Sequence, residues 1–315
     1  MRSVCWVALS LCLALHAAPQ AVDAPQDAEP LSRAEAIEYG PMRIAGAITD
    51  AQISESSGLA AARAPGNAGL LWTHNDSGDL PRLFLLSARG TLRAMYRVDV
   101  PFATDWEDVC SFELDGVPYL LIGDVGDNGH QRPHVTLWLV PEPTFDPERK
   151  SELPLKIKPT RKIEFTYAQG PQDCESIAFD PVRREIVLVT KVDPRRPPVG
   201  LAGVYVLPLP DEDLPAPGEG PVVLDRAAEL AIRITTAADI SPDGQRAVVA
   251  TYGDAWQYVR QDHESWAHAF ARPGQPIALG PRGQSEAIAY DADGQTLVLT
   301  AEGVGKPLWR VSAKP

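Results

Sequence analysis

Residues 172–191, QDCESIAFDPVRREIVLVTK, read as a β-hairpin with polar ends. Glu175 opens a short alternating run, Ile177-Ala178-Phe179. The chain turns at Asp180-Pro181-Val182-Arg183-Arg184 and returns along an apolar run from Ile186 to Thr190, ending on Lys191. Two short apolar runs flanking a Pro-containing turn are the pattern of paired antiparallel strands. The plan recurs as SESSGLAAARAPGNAGLLWTH (54–74), DWEDVCSFELDGVPYLLIGD (105–124), TTAADISPDGQRAVVATY (235–252) and QSEAIAYDADGQTLVLTAE (284–302). Self-similarity at about 45–60 residues, with several strands per unit, is the signature of a propeller. The expected fold is therefore all-β, a β-propeller of five blades, with six left open if one blade has diverged.

The strands can be placed from these hairpins. Blade one has strands near Gly58–Ala61, Leu70–His74, Leu83–Ser87 and Leu92–Val98. Blade two has its outer strand within Leu155–Tyr167, and blade three carries Pro-rich insertions at 193–200 and 211–220. Blade four holds the tight-turn signal Ser241-Pro242-Asp243-Gly244 and a long loop, Arg260 to Pro273, read as solvated despite His263, Trp266 and His268. Blade five supplies three strands; the alternating run Met42–Thr49 is expected to close the ring as its fourth.

Composition bounds the rest. The chain has 315 residues with 44% hydrophobic content, ample for a large core, and its 30 Pro and 24 Gly suit short strands and turns. A net charge of −13 leaves no basic face, so nucleic acid is not an expected partner. MRSVCWVALSLCLALHAAPQAVDA (1–24) has the Arg, apolar run and small residues of a signal peptide. Residues 25–40 form a polar leader and 41–315 a single propeller domain. Export to the periplasm or beyond follows as the expected localisation, with no membrane insertion after cleavage and a monomeric chain. Cys110 and Cys174 lie about four residues out of register in neighbouring blades, roughly 13 Å along a strand, so two separate thiols are expected.

Registering the repeats gives two rings of residues. At the start of the inner strands stand Glu55, Glu107, Glu175, Thr236 and Glu286; after the second strands stand His74, Asp124, Lys191, Tyr252 and Glu302. A nearly uniform ring can serve the fold, each Glu accepting from the next blade's amides. A ring that differs in every blade points to a site. Six carboxylates with Lys191 as the one opposing cation cannot all sit charged at ease, because at an effective dielectric near 20 two charges 5 Å apart cost roughly 3 kcal/mol. A hard cation, protonated carboxyls or a positive ligand would relieve them. Two loops, His74-Asn75-Asp76-Ser77-Gly78-Asp79 and Asp124-Val125-Gly126-Asp127-Asn128, add oxygen ligands, though Asx-turn chemistry also explains them. The candidate catalytic residues are thus His74, Asp124, Lys191, Tyr252 and Glu302. The candidate metal ligands are Glu55, Glu107, Glu175 and Glu286, with Asn75, Asp127 and Asn128 from the loops. Trp72 and Trp106 flank the rings and suit either a flat ligand or blade packing.

The recurring CESIAFD, SEAIAYD and SESSGLA resemble secreted bacterial propellers of the SdiA-regulated and phytase-like esterase groups, and SPDG resembles the TolB and WD40-like blade turn. The resemblance runs from about residue 42 to the end. It implies Ca²⁺ at the channel mouth, with Glu55, Glu107, Glu175 and Glu286 at the metal-facing positions, and hydrolysis of an ester, lactone or phosphoester. Those groups have six blades. Five-bladed propellers include glycosidases that use central carboxylates, which is the alternative activity. The expected partner is a small-molecule or glycan ligand; a non-catalytic propeller of the cell envelope, binding a cationic, peptide or glycan ligand or a protein, is the alternative from another class.

Overall fold

The computed structural model describes residues 34–149, 154–195, 200–209 and 219–315. The expected signal peptide, most of the polar leader and parts of both Pro-rich insertions lie outside the described residues. In chain order the elements begin with β1 (Arg43–Ile48). Blade one follows as β2 (Ser56–Ala61), β3 (Leu70–Asn75), β4 (Arg82–Ser87) and β5 (Leu92–Val98). Blade two starts with β6 (Trp106–Leu114), β7 (Val117–Asp124) and β8 (Val135–Pro141), and β9 (Leu155–Ile157) leads to its fourth strand β10 (Arg161–Tyr167). Blade three is β11 (Cys174–Asp180), β12 (Glu185–Thr190) and β13 (Ala202–Pro208), then β14 (Val222–Leu224) and β15 (Arg226–Leu230). Blade four is β16 (Thr235–Ile240), β17 (Arg246–Thr251) and β18 (Ala255–Val259), then the helix α1 (Trp266–Phe270) and β19 (Gln275–Ile277). Blade five is β20 (Ala287–Tyr290), β21 (Leu297–Thr300) and β22 (Lys306–Val311).

The sheet order makes this a five-bladed β-propeller. Each blade is an antiparallel meander running outward from its inner strand. The inner strands β2, β6, β11, β16 and β20 pack side by side in a closed circle. The ring is sealed as expected, β1 pairing antiparallel with β22 from Arg43↔Arg310 to Ile48↔Lys306. The core is layered between blades, one apolar cluster for each of the five interfaces. Between blades two and three, for example, Phe112 stacks on Phe179 with ring centroids 3.6 Å apart. Strands sandwiched in this way are apolar on both faces: in β12 only Glu185, its first residue, is not buried.

The outer strand of blade two falls within the expected segment, but that segment holds two strands. Lys158-Pro159-Thr160 breaks it, because proline has no N–H for the ladder. Only β10 joins blade two; β9 pairs in parallel with β5 as a fifth strand of blade one. The short β14 does the same for blade two, pairing with β10. Both cover a sheet edge that would otherwise invite association. The loop from Arg260 to Pro273 is not simply solvated. Ser265 caps α1 by accepting from His268 N–H (3.3 Å), and Trp266, Ala269 and Phe270 bury one helical face against blades three and four. His263 and His268 are exposed there.

The inter-blade amides do have carboxylate acceptors, though not the expected ones. Asp108 accepts from Ile177 N–H (2.9 Å) and Asp239 from Tyr290 N–H (2.8 Å), each joining an inner strand to the following blade's. Cys110 and Cys174 are separate buried thiols.

Candidate functional site

Equivalent backbone bonds define which residues share a position. Asp76 N–H donates to Glu55 O, Gly126 to Asp105 O, Lys191 to Asp173 O and Glu302 to Gln284 O, at 2.9, 3.2, 2.8 and 3.0 Å. Immediately afterwards the inner strand slips register against its neighbour: between Trp106 and Asp108, Cys174 and Ser176, Thr235 and Ala237, and Ser56 and Leu59. The unpaired residue at the slip is Glu107, Glu175 or Thr236. A β-bulge of this kind re-aims one side chain away from the sheet. It explains how a residue at the start of a packed inner strand reaches the channel mouth.

This registration corrects blade one. The ring position there is Ser57, whose Oγ donates to Glu107 O (2.7 Å), while Glu55 lies two residues earlier and is exposed. The matching position after the second strand is Asp76, not His74. His74 lies one layer down and is wholly buried, its Nδ1 donating to Asn75 O (2.9 Å) and its ring edge-on to Trp106. Burial pulls its pKa down to about 4, so the imidazole is neutral. In blade two Asp124 is committed elsewhere: it pairs with Arg132 (2.7 Å) and accepts from Thr104 and Asp105 N–H (3.1 and 3.2 Å).

The loop residues are also bound to their own backbone. Asn75 donates to Gln52 O and Asp79 Oδ2 and accepts from Glu55 N–H. Asp127 accepts from Gln131 and Arg132 N–H, each at 2.9 Å. The Asp127 bonds are the local kind that shape a tight loop, while those to Gln52 and Glu55 tie Asn75 to the segment before the first strand of blade one. Asn128 alone of the three reaches a cleft of about 160 Å³, beside Gln172, Asp173, Lys191, Arg195 and Tyr252. Trp72 and Trp106 are buried in the packing of blades one and two.

The structure gathers the remaining residues. Asp76, Asp105 and Glu107 bring one oxygen each within 4.8 Å of one another; so do Asp76, Glu286 and Glu302, and so do Glu107, Asp173 and Glu175. Asp76 and Glu107 each belong to two triads. Seven carboxylates therefore form one arc across blades five, one, two and three. At its end Lys191 Nζ lies 2.6 Å from Glu175 Oε1 and 5.7 Å from the centre of the Tyr252 ring. Asp105 and Asp173 escaped the sequence reading although the signal is present: Asp105-Trp106-Glu107 and Asp173-Cys174-Glu175 repeat Asp-x-Glu at the same place in neighbouring blades.

Among the described residues a Lys or Arg forms an ion pair with the arc only at its Glu175 end. Burial, then the charge of Glu175 and of three aspartates, holds the Glu107 carboxyl well above the ordinary glutamate range. Burial, then Asp76 and Asp173, raises Asp105 to about 6. Burial raises Glu175 to about 7 even with Lys191 opposing it. Burial, then the hydrogen bond and charge of Glu302, raises Glu286 to about 9. Asp76 and Asp173 are raised too, chiefly by burial. For Lys191 burial opposes the charge, but Glu175 outweighs it and the ammonium is held above its usual range. The space between carboxylates is kept by a glycine: a Cβ on Gly126 would overlap the carboxylates of Glu107 and Asp105.

No protein-family model matches the chain, and no curated protein sequence matches it. Solved structures do. The WD40 repeats of RRP9 align over 82% of this chain and 67% of theirs at 12% identity, TM-score 0.38. The Dos1 propeller aligns over 82% and 68% at 11% identity, TM-score 0.38. A gluconolactonase from Xanthomonas campestris aligns over 91% and 99% at 11% identity, TM-score 0.45.

Proposed function

We propose that the channel mouth is the site of a Ca²⁺-dependent hydrolase acting on an ester, lactone or phosphoester. One observation carries this reading: the central triad Asp76, Asp105 and Glu107 crowds three carboxylate oxygens within 4.8 Å. Among the described residues no Lys or Arg forms an ion pair with any of the three. The donor set is all oxygen, as a hard cation requires, and Gly126 leaves the room. Asp76, Asp105 and Glu107 would hold the ion, with Glu286 and Glu302 adjoining on one side.

When bound, Ca²⁺ supplies Lewis acidity toward a carbonyl or phosphoryl oxygen. The protein's own groups do the rest. The Lys191 ammonium faces the cleft beside the arc, where it can stabilise negative charge developing on the substrate. Tyr252, pushed by burial to about 12, keeps its proton at neutral pH and can donate from its hydroxyl. Asn128 and Gln172 line the same cleft and can orient the substrate.

The test is a thermal melt with Ca²⁺ and with EDTA, followed by assays on aryl ester, lactone and phosphoester substrates. A midpoint raised by Ca²⁺, with Ca²⁺-dependent turnover of one class, is the expected result. An unchanged midpoint at millimolar Ca²⁺ rejects the cation reading.

A further inference from the structure

The central triad is flanked by two others, and the structure treats them differently. Asp76, Lys191 and Glu302 share one structural position, just after the second strand, fixed by the same backbone bond. Blades one and five place a carboxylate there; blade three places an ammonium. That ammonium lies 2.6 Å from Glu175 Oε1, with 14% of its side chain exposed and 4% of Glu175's. Glu175 is at the same time one of three carboxylates, with Glu107 and Asp173, whose oxygens lie within 4.8 Å.

Glu107 is 2% exposed. It accepts no side-chain hydrogen bond among the described residues, and it offers an oxygen to this triad as well as to the central one. Asp173 is oriented by accepting from Asp127 N–H (2.9 Å). The oxygen donors of a second cation position are therefore assembled, and a protein cation is already set against one of them. Tyr252 steadies it as well, its ring centre 5.7 Å from Nζ, within cation–π range.

We infer that Lys191 is a tethered counter-ion filling the cation position of the Glu107, Asp173 and Glu175 triad, so that this triad takes no free divalent ion of its own. The inference rests on the central triad being the Ca²⁺ site. It assigns Lys191 a positioning role, since the ammonium keeps a metal out of that triad whatever else it does for the substrate. Removing its charge while keeping its bulk frees Glu175 and leaves three unneutralised carboxylates, which a second Ca²⁺ can take.

The experiment is calorimetric Ca²⁺ titration of the full chain and of its Lys191→Met and Lys191→Arg variants, with circular dichroism to verify folding. Lys191→Arg is expected to bind as many ions as wild type, and Lys191→Met one more. No extra ion in Lys191→Met, where wild type binds Ca²⁺, overturns the inference and leaves the Ca²⁺ reading standing. No ion in wild type but one in Lys191→Met supports the tethered counter-ion and overturns the Ca²⁺ reading; no ion in either overturns both. Should Lys191→Met not fold, Lys191→Ala prepared in methylammonium replaces it. Ca²⁺ should then displace one methylammonium per chain, and failure to displace it sinks the proposal.

Discussion

Glu107 is 2% exposed and belongs to two carboxylate triads at once. Its negative charge is therefore opposed by desolvation and by its neighbours together. Glu107→Gln keeps the shape and removes the charge. Without metal this should stabilise the protein by on the order of 1–2 kcal/mol, because a buried charge repelled by others is replaced by a neutral amide. In a protein of this size that is a rise of roughly 2–4 °C in the EDTA midpoint. In Ca²⁺ the same variant should bind at least about tenfold more weakly, since a ligand charge is lost. Opposite shifts in the two buffers are the informative result; a fall in both would mean that Glu107 serves the fold. Tyr252→Phe is the complementary probe. It removes only the hydroxyl and leaves the ring that faces Lys191, so Ca²⁺ affinity should stay unchanged. Turnover on the responsive substrate should fall about 10²-fold if the phenol donates a proton.

The bulge at the start of the inner strands of blades two and three is what turns a repeat into a site. It lifts Glu107 and Glu175 out of the ladder, and Gly126 keeps the space that Glu107 shares with Asp105. Gly126→Ala should weaken Ca²⁺ binding by at least about tenfold and cost roughly 1–3 kcal/mol of stability, as overpacking does; unchanged Ca²⁺ affinity would show that the space is not used. Five hairpins, the closing β1 strand and the two separate thiols were all readable from the sequence, because alternation and turn chemistry are local. Ring members Glu107, Glu175 and Glu286 followed from the same repeat. Blade one misled because Ser54-Glu55-Ser56-Ser57 offers a glutamate two residues before the ring position, and only the backbone bond from Asp76 N–H to Glu55 O settles the register. His74 and Asp124 resembled site residues for a related reason: a count along the chain cannot tell the last residue of a strand from the first one beyond it. The helix at Trp266 was hidden by its brevity, five residues being too few for a periodic pattern to stand out.

The propeller is held by layers between blades, while its mouth works against it, since all seven carboxylates of the arc converge where the inner strands begin. That opposition should be visible as a pH dependence of the whole fold. Asp105, Glu175 and Glu286 have native pKa values near 6, 7 and 9, above the ordinary carboxylate range of an unfolded chain. Where a native acid has the raised pKa, the native state binds more protons than the unfolded state, so stability falls as pH rises. The fall starts above the unfolded carboxylate values, near pH 4, and runs through the native values up to about pH 9. In EDTA the midpoint should therefore decline steadily from pH 5 to pH 9. Ca²⁺ must displace those same protons to bind, so its stabilisation should grow over the same interval, and the melting curve in Ca²⁺ should flatten or rise where the EDTA curve falls. Both curves come from one set of melts at fixed ionic strength. Parallel curves would mean that the ion binds elsewhere; an EDTA curve that rises with pH would mean that the arc carboxylates are relieved by a partner other than a metal.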